Sequence, residues 1–584
     1  MDRRVALVTI VGAVAGATGI GATLLLKAPR NTGERIVTAQ AIRRVGPDEI
    51  FVDFGKVWFG NVVLAANFAN QGRKVTVRLG EKLDDAGRID RRPFGSVRYH
   101  EADVTLSRTE ASPELAAADL RGMEAGRAAM PFRYLELVGW EGELPASAVS
   151  LIATISTQFS PRGGIVFTGA NATAQQLKRL MQLGWHTMAA TSFMGIFVDG
   201  DRERTPYEAD GYINQLGWYA ISGDTSVPRR TIEALLQKPT WPSEWMIQLI
   251  FMARADYLAT GDTEYLGGIF DRLQIFSLRA FVDAGGLVNT TDKHLAERFV
   301  AATGADYLQD IVDWPPIERD GHEMVTHNTV VNAFVHAGFE AMAMLAGALG
   351  RTAEATSYAI AAERLKAVME DRLVDRNRGV FVDGLGSSHV SAHSLFFPLA
   401  FGLVPPDRVA PTMAMLKARI LAYKGGFPCS VYGAQYLLEA LYRQGEGDLA
   451  LALILNPTER GWLHMLNAHD ATVTHEAWDI NYKENLDWTH AWGSAFLNIA
   501  HRFILGARPL KPRWSQWTLT PDSAVRLAMT ATIPTPMGDI EVEIDPESDA
   551  IRIRHPQSAA FIASPPRGNE ATWKFDLRPY ASEQ

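Results

Sequence analysis

Between Asp199 and Asp210 the chain reads "DGDRERTPYEAD", five carboxylates and two arginines in twelve positions, directly after the apolar run "GWHTMAATSFMGIFV". Three chemistries suit such a segment. A calcium loop would use Asp199, Asp201, Glu203 and Asp210 at positions 1, 3, 5 and 12 of an EF-hand count. Its sharp turn needs glycine where Arg204 stands, and two arginines inside the loop repel a cation. A solvated charged turn is the second reading, weakened by apolar sequence on both sides. The third is acid catalysis. A general acid working near neutral pH must keep its proton. Neighbouring carboxylates raise a carboxyl pKa, whereas arginines lower it but orient hydroxyls. Glu203 sits among both.

Acid cleavage of a glycosidic bond calls for a second carboxylate across the substrate. Residues 469–494, "HDATVTHEAWDINYKENLDWTHAWGS", offer Glu476 and Asp479 beside His475, Trp478, Trp488, His490 and Trp492. Tryptophan faces stack on sugar rings, while acids, Arg and His address hydroxyls. Nine of the fourteen tryptophans fall between Trp185 and Trp492. Core packing accounts for any one of them more readily than ligand binding does. It accounts less well for a loop tryptophan beside an acid, such as Trp314 after Asp313.

Other patterns fail. In "HEMVTH", His322 and His327 are five apart, whereas a zinc-protease helix needs four. "GLGSSH" is not a nucleotide loop. No metal or organic cofactor site is evident. A net charge of −9 without a long basic run speaks against a nucleic-acid partner. Cys429 is the single cysteine, so no intramolecular disulfide forms, and "GGFPCSVYG" gives it no catalytic partner.

The elements that must position these residues fall into blocks. Arg3 and Arg4 precede an apolar stretch from Val5 to Leu26, ended by Lys27. It is long enough to span a bilayer and is expected to direct export to the periplasm, either cleaved or kept as an inner-membrane anchor. No second stretch of this kind is read. Residues 50–158 alternate in short runs broken by Gly, Asn and Asp, the pattern of a β-sandwich. From about 172 to 507 the period becomes helical. "NTVVNAFVHAGFEAMAMLAGALG" and "EATSYAIAAERLKAVMEDRLV" are separated only by "RTA", which predicts an antiparallel helical hairpin. Strands return from about 513. The expected domains are 1–30 for export, 31–165 β-sandwich, 166–509 helical and 510–584 β-sandwich.

At this point the chain resembles the bacterial α-L-rhamnosidases of glycoside hydrolase family 78. "VDFGKVWFGNVVLAANF" and "MPFRYLELVGWEG" are similar to the family's β-sandwich, and "FVDGDRERTPYEAD" to its acid motif. "WPSEWMIQLIFMARADYLATGDTEYL", "DWPP" and "VTHEAWDINYKENLDWTHAWGSAFLNIAHRFILGARPL" are similar to its later segments. The resemblance implies a multidomain chain whose catalytic domain is an (α/α)6 barrel flanked by N- and C-terminal β-sandwiches. It implies Glu203 as general acid and Glu476 as general base in an inverting displacement. It also implies Arg202, Asp210, Asp313, Trp314 and His490 as sugar-binding residues; Asp199, Tyr207, Trp245 and Trp478 complete the candidate substrate-binding set, and no cofactor or metal is expected. The expected partner is a carbohydrate carrying a terminal deoxy sugar. An inverting pair implies carboxyl groups roughly 6.5–9.5 Å apart, whereas a separation of about 5 Å would argue for a covalent intermediate instead. Two departures stand out: Asp199 lies three residues before Arg202 where the family pattern has four, and Tyr207 stands where it has Trp. Another six-hairpin glycosidase such as a glucuronidase, a polysaccharide lyase and a non-catalytic carbohydrate-binding protein are the competing expectations.

Overall fold

The computed structural model describes residues 32–107, 111–113, 128–522, 526–563 and 573–581. The expected export segment lies outside the described residues.

The N-terminal domain is built on one long strand, Glu49–Leu64, "EIFVDFGKVWFGNVVL". Its ladder shifts register between Asp53 and Trp58. Gly55, at φ +81, supplies the left-handed backbone such an irregularity requires. The strand pairs with Met130–Val138 on one side and, through its second half, with Val149–Ser156. Among the described residues seven antiparallel strands make up this sheet. Val52, Phe54, Trp58, Phe132 and Leu135 pack its core, which also receives Ala189, Ala190 and Val473 from the helical region.

The helical domain alternates two kinds of helix. Ala392–Ala400 is buried at all nine positions and Val431–Arg443 at twelve of thirteen. Thr352–Arg372 buries only Tyr358, Ala362, Leu365 and Met369, a single stripe at helical spacing. Pro406–Ala422 likewise buries four residues. Helices buried all round form an inner ring, and one-striped helices an outer ring. The predicted hairpin is Thr329–Ala348 followed by Thr352–Arg372. By length and composition Thr329–Ala348 is apolar enough to cross a membrane, a second stretch that the sequence reading overlooked. It is an inner-ring helix, with 78% of its most apolar window buried. The alternation is that of an (α/α)6 barrel.

Among the described residues the C-terminal domain has a three-stranded and a five-stranded sheet. The five-stranded sheet borrows Gly164–Phe167, which pairs with Met529–Ile533. Ala507–Pro509 pairs with Gln516–Leu519 in the other. The chain thus enters and leaves the barrel through strands of this C-terminal domain.

The loops leading into inner helices gather at one end of the barrel. They include 195–207 before Glu208–Ile221, 304–328 before Thr329–Ala348, and 469–494 before Ala495–Ile499. The N-terminal domain braces this end: Ser96 N–H donates to Leu486 O at 2.8 Å and Val57 N–H to Thr472 Oγ1 at 2.9 Å.

Candidate active site

The charged stretch folds as a closed loop. Asp199 N–H donates to Thr205 O, and Asp199 Oδ1 accepts from Thr205 N–H, both at 3.0 Å. Within it the acids divide by task. Asp201 is buried and paired with Arg98 of the N-terminal domain and with Arg204, whose Nε lies 3.1 Å away. Arg204 also donates to Ala129 O at 2.6 Å. These residues moor the loop, and a calcium-binding arrangement does not form because Asp201 faces two guanidiniums.

The 469–494 loop crosses the acid loop at Gly200. This glycine has φ +106, and a Cβ there would stand 2.8 Å from Thr489 O and 2.9 Å from Asp487 Oδ2. Asp487 is the clasp. Its Oδ2 accepts from the backbone N–H groups of Asp201 at 2.8 Å and Arg202 at 2.9 Å. Its own N–H donates to Glu476 Oε2 at 3.1 Å, and Glu476 N–H donates to Asp487 O at 2.9 Å. Trp492 Nε1 holds Glu476 O at 2.9 Å.

Glu203 and Glu476 are thereby brought together. Arg202 Nη2 lies 3.1 Å from Glu203 Oε1 and 2.9 Å from Glu476 Oε1. Because the nitrogen is shared, these two oxygens are no more than about 6 Å apart, short of the roughly 6.5–9.5 Å span expected of an inverting pair. Tyr207 donates to Glu203 Oε2 at 2.7 Å. Lys483 Nζ stands 3.4 Å from Glu476 Oε1. The side chain of Glu203 is 32% exposed and that of Glu476 only 3%.

Both acids line a cavity of ≈190 Å³ with Asp199, Arg202, Tyr207, Asp210, Trp245, Trp314 and His490. That is smaller than the roughly 300–1,000 Å³ pockets of drug-sized ligands and suits one sugar ring. Tryptophan edges and faces wall it: Trp245 meets Tyr207 and Trp492 edge-on, each at 5.9 Å, and Trp241 meets Trp314 at 6.1 Å.

Electrostatics differentiate the acids. Burial, and then the charges of Glu203 and Asp210, hold the Asp199 carboxyl well above the usual range. Burial alone would lower His490, but Asp210, whose Oδ1 lies 2.7 Å from Nε2, raises it. Burial and Glu203 push the Tyr207 phenol up.

Two expected sugar contacts do not reach the cavity. Trp478 is fully buried, stacked on Phe427 at 4.8 Å, with Nε1 donating to Cys429 O at 2.7 Å. A face and the polar edge are used by the core, and Trp462 meets the ring at 5.3 Å. Asp313 is fully buried too. It accepts from Trp314 N–H at 2.8 Å, Ser430 N–H at 3.0 Å and the Ser430 hydroxyl, and pairs with His393 at 2.6 Å. Its work is to position Trp314. Sequence reading did not single out Trp241, Ile311, Lys483, Asn485 or Asp487; the first four line the cavity. Asp487 precedes Trp488 just as Asp313 precedes Trp314, and in both pairs the acid organises backbone.

Fold and cleft together define a six-hairpin glycosidase domain, with two carboxylates meeting between tryptophans at one end of the toroid. Residues 167–504 match the bacterial alpha-L-rhamnosidase 6 hairpin glycosidase domain, and residues 43–155 the bacterial alpha-L-rhamnosidase concanavalin-like domain. The chain belongs to the bacterial α-L-rhamnosidase six-hairpin family. It is 22% identical over 477 residues to an alpha-L-rhamnosidase of Formosa agariphila, covering 76% of this chain and 48% of that one. Similar folds include the alpha-L-rhamnosidase from Dictyoglumus thermophilum, with a TM-score of 0.70 and 16% identity over 87% of this chain and 56% of the other. The GH78 rhamnosidase of Bacillus sp. GL1 has a TM-score of 0.69 and 18% identity over 93% and 56%. The chain thus spans about half the length of these relatives.

Proposed function

We propose that this chain is an inverting α-L-rhamnosidase that removes terminal L-rhamnose from a larger glycoside. The observation that carries the reading is the pair Glu203 and Glu476, joined by Arg202 inside a tryptophan-walled cavity of single-sugar size. Glu203, the more exposed, donates its proton to the glycosidic oxygen as that bond breaks, and Tyr207 orients it. Glu476 accepts from Arg202, from the Asp487 N–H and from Lys483, the surroundings of an anion. It takes a proton from the water that attacks the anomeric carbon from the opposite face. Entry of the sugar and this water must displace the Arg202 bridge, which opens the carboxylates to the inverting span.

Two competing readings lose support on particular contacts. A uronic-acid substrate needs a cation of its own in the cleft, but Lys483 stands against Glu476 and Arg202 lies between the two glutamates that carry the proposed chemistry. A lyase needs an easily deprotonated Tyr or an uncommitted His, yet the Tyr207 phenol is pushed up and His490 is paired with Asp210.

Hydrolysis of an aryl α-L-rhamnoside by the full chain, followed by proton NMR of the first sugar released, tests the proposal. Release of β-L-rhamnose supports it. Release of the α anomer overturns inversion, and cleavage of other aryl glycosides instead overturns the sugar. Export to the periplasm through residues 1–30 is part of the proposal, resting on Arg3, Arg4 and the apolar run. Cell fractionation of the tagged chain tests it.

A further inference from the structure

Outside the cleft, three residues past Glu476, one carboxylate oxygen collects two imidazoles. Asp479 Oδ2 lies 2.7 Å from His464 Nε2 and 3.1 Å from His469 Nε2. One ligand atom from each of the three lies within 4.8 Å of the others. Asp479 Oδ1 accepts from Asn481 N–H at 3.1 Å, which turns Oδ2 toward the histidines. The imidazole rings stand 4.9 Å apart and nearly perpendicular, at 87°. Their side chains are 18% and 16% exposed and that of Asp479 is 9% exposed, so the group is sheltered but reachable. A third imidazole, His475, is 5.6 Å from His469, with a buried Nδ1 that has no hydrogen-bond partner. The nearby Lys82 ammonium is engaged by Asp90 at 2.8 Å.

We propose that His464, His469 and Asp479 bind a borderline divalent transition-metal ion, Zn²⁺ foremost, through two imidazole nitrogens and one carboxylate oxygen. Two nitrogens and one oxygen favour Zn²⁺, Co²⁺ or Ni²⁺ over Mg²⁺ and Ca²⁺, which prefer all-oxygen shells. Water completes the coordination. The histidines come from the helix Trp462–Ala468 and the residue that ends it, and the aspartate from the turn at Ile480–Tyr482. The His-x4-His-x9-Asp spacing matches no linear ligand pattern, so the site exists only once the loop is folded. None of the three lines the cleft, so the ion takes no part in bond cleavage. It ties the loop that carries Glu476 to the helix before it.

The test uses the full chain after chelator treatment. Co²⁺ is added and its visible d–d absorption followed, then Zn²⁺ is titrated in calorimetrically. The expected result is one ion per chain, Zn²⁺ displacing Co²⁺, no competition from Mg²⁺, and a higher thermal midpoint with Zn²⁺. His464→Ala with His469→Ala should weaken binding by more than about 10-fold, since even partners one shell further out carry 10–100-fold. If that double variant fails to fold by circular dichroism, Asp479→Asn gives the same readout with less disturbance. A wild-type chain that binds no stoichiometric ion, or a folded variant that binds as tightly as wild type, overturns the proposal. The three residues are then an aspartate accepting two imidazole hydrogen bonds.

Discussion

The two halves of the cleft, proposed here as acid and base, hold the same functional group in opposite ways. Glu203 sits on a compact loop closed on itself by the Asp199–Thr205 hydrogen bonds, with a third of its side chain in the open. Glu476 sits near the start of a long irregular segment, almost fully enclosed, with two cations and a backbone N–H on its oxygens. In the proposed mechanism the half that delivers a proton to a departing group faces outward, and the half that activates one water is kept in. On that proposal environment, more than residue type, divides the labour between two glutamates.

Substitution should expose that division. Glu476→Gln should lower kcat by about 10²–10⁴-fold on every substrate, because activating water is needed whatever leaves. Steady-state kinetics on aryl and alkyl rhamnosides measure it. Glu203→Gln should match that loss on alkyl rhamnosides but lose much less on a nitrophenyl rhamnoside, whose leaving oxygen needs little protonation. An equal loss on both substrates would break the assignment of acid and base.

The join between the halves is the next point of attack. Gly200→Ala places a Cβ in a φ +106 backbone, 2.8 Å from the Thr489 carbonyl. Backbone strain and overpacking each cost of order 1–3 kcal/mol. Denaturant unfolding should show the loss, and kcat should fall with it because Asp487 can no longer clasp both loops. Wild-type stability in this variant would mean that the crossing is loose.

The same contrast explains what the sequence revealed. Glu203, Arg202, Tyr207 and Asp210 lie within one short stretch whose charge density announces chemistry, and the fold places all four at the cavity. Helical hairpins were legible from period and from the three-residue link between Ala348 and Thr352. The base loop was legible only in outline. It has no periodicity, so nothing in its order says that Trp478 turns into the core while Trp492 reaches the cleft. The pairing of Gly164–Phe167 with Met529–Ile533 joins segments on either side of the whole barrel, and alternation within either strand cannot name its partner.

The mildest change tests the charge state of the acid loop itself. Asp199 is buried 4 residues before Glu203, and its carboxyl is held well above the usual range by burial and by the charges of Glu203 and Asp210. Unfolded, it titrates near its ordinary value of about 3.9. A carboxyl whose folded pKa is raised stabilises the fold fully only below the unfolded value. That contribution is lost as pH rises toward the folded one, because the native state holds a proton the unfolded state has released. Asn at this position keeps an oxygen for the Thr205 N–H and has no proton to lose. The Asp199→Asn variant should therefore gain on wild type as pH rises from 4 to 8, by at most about 1.4 kcal/mol per pH unit until the folded pKa is passed. Thermal midpoints across that range measure the gap. A gap that does not change with pH would mean that Asp199 is ionised in the fold, and that the acid loop carries one more negative charge beside Glu203 than this structure supports.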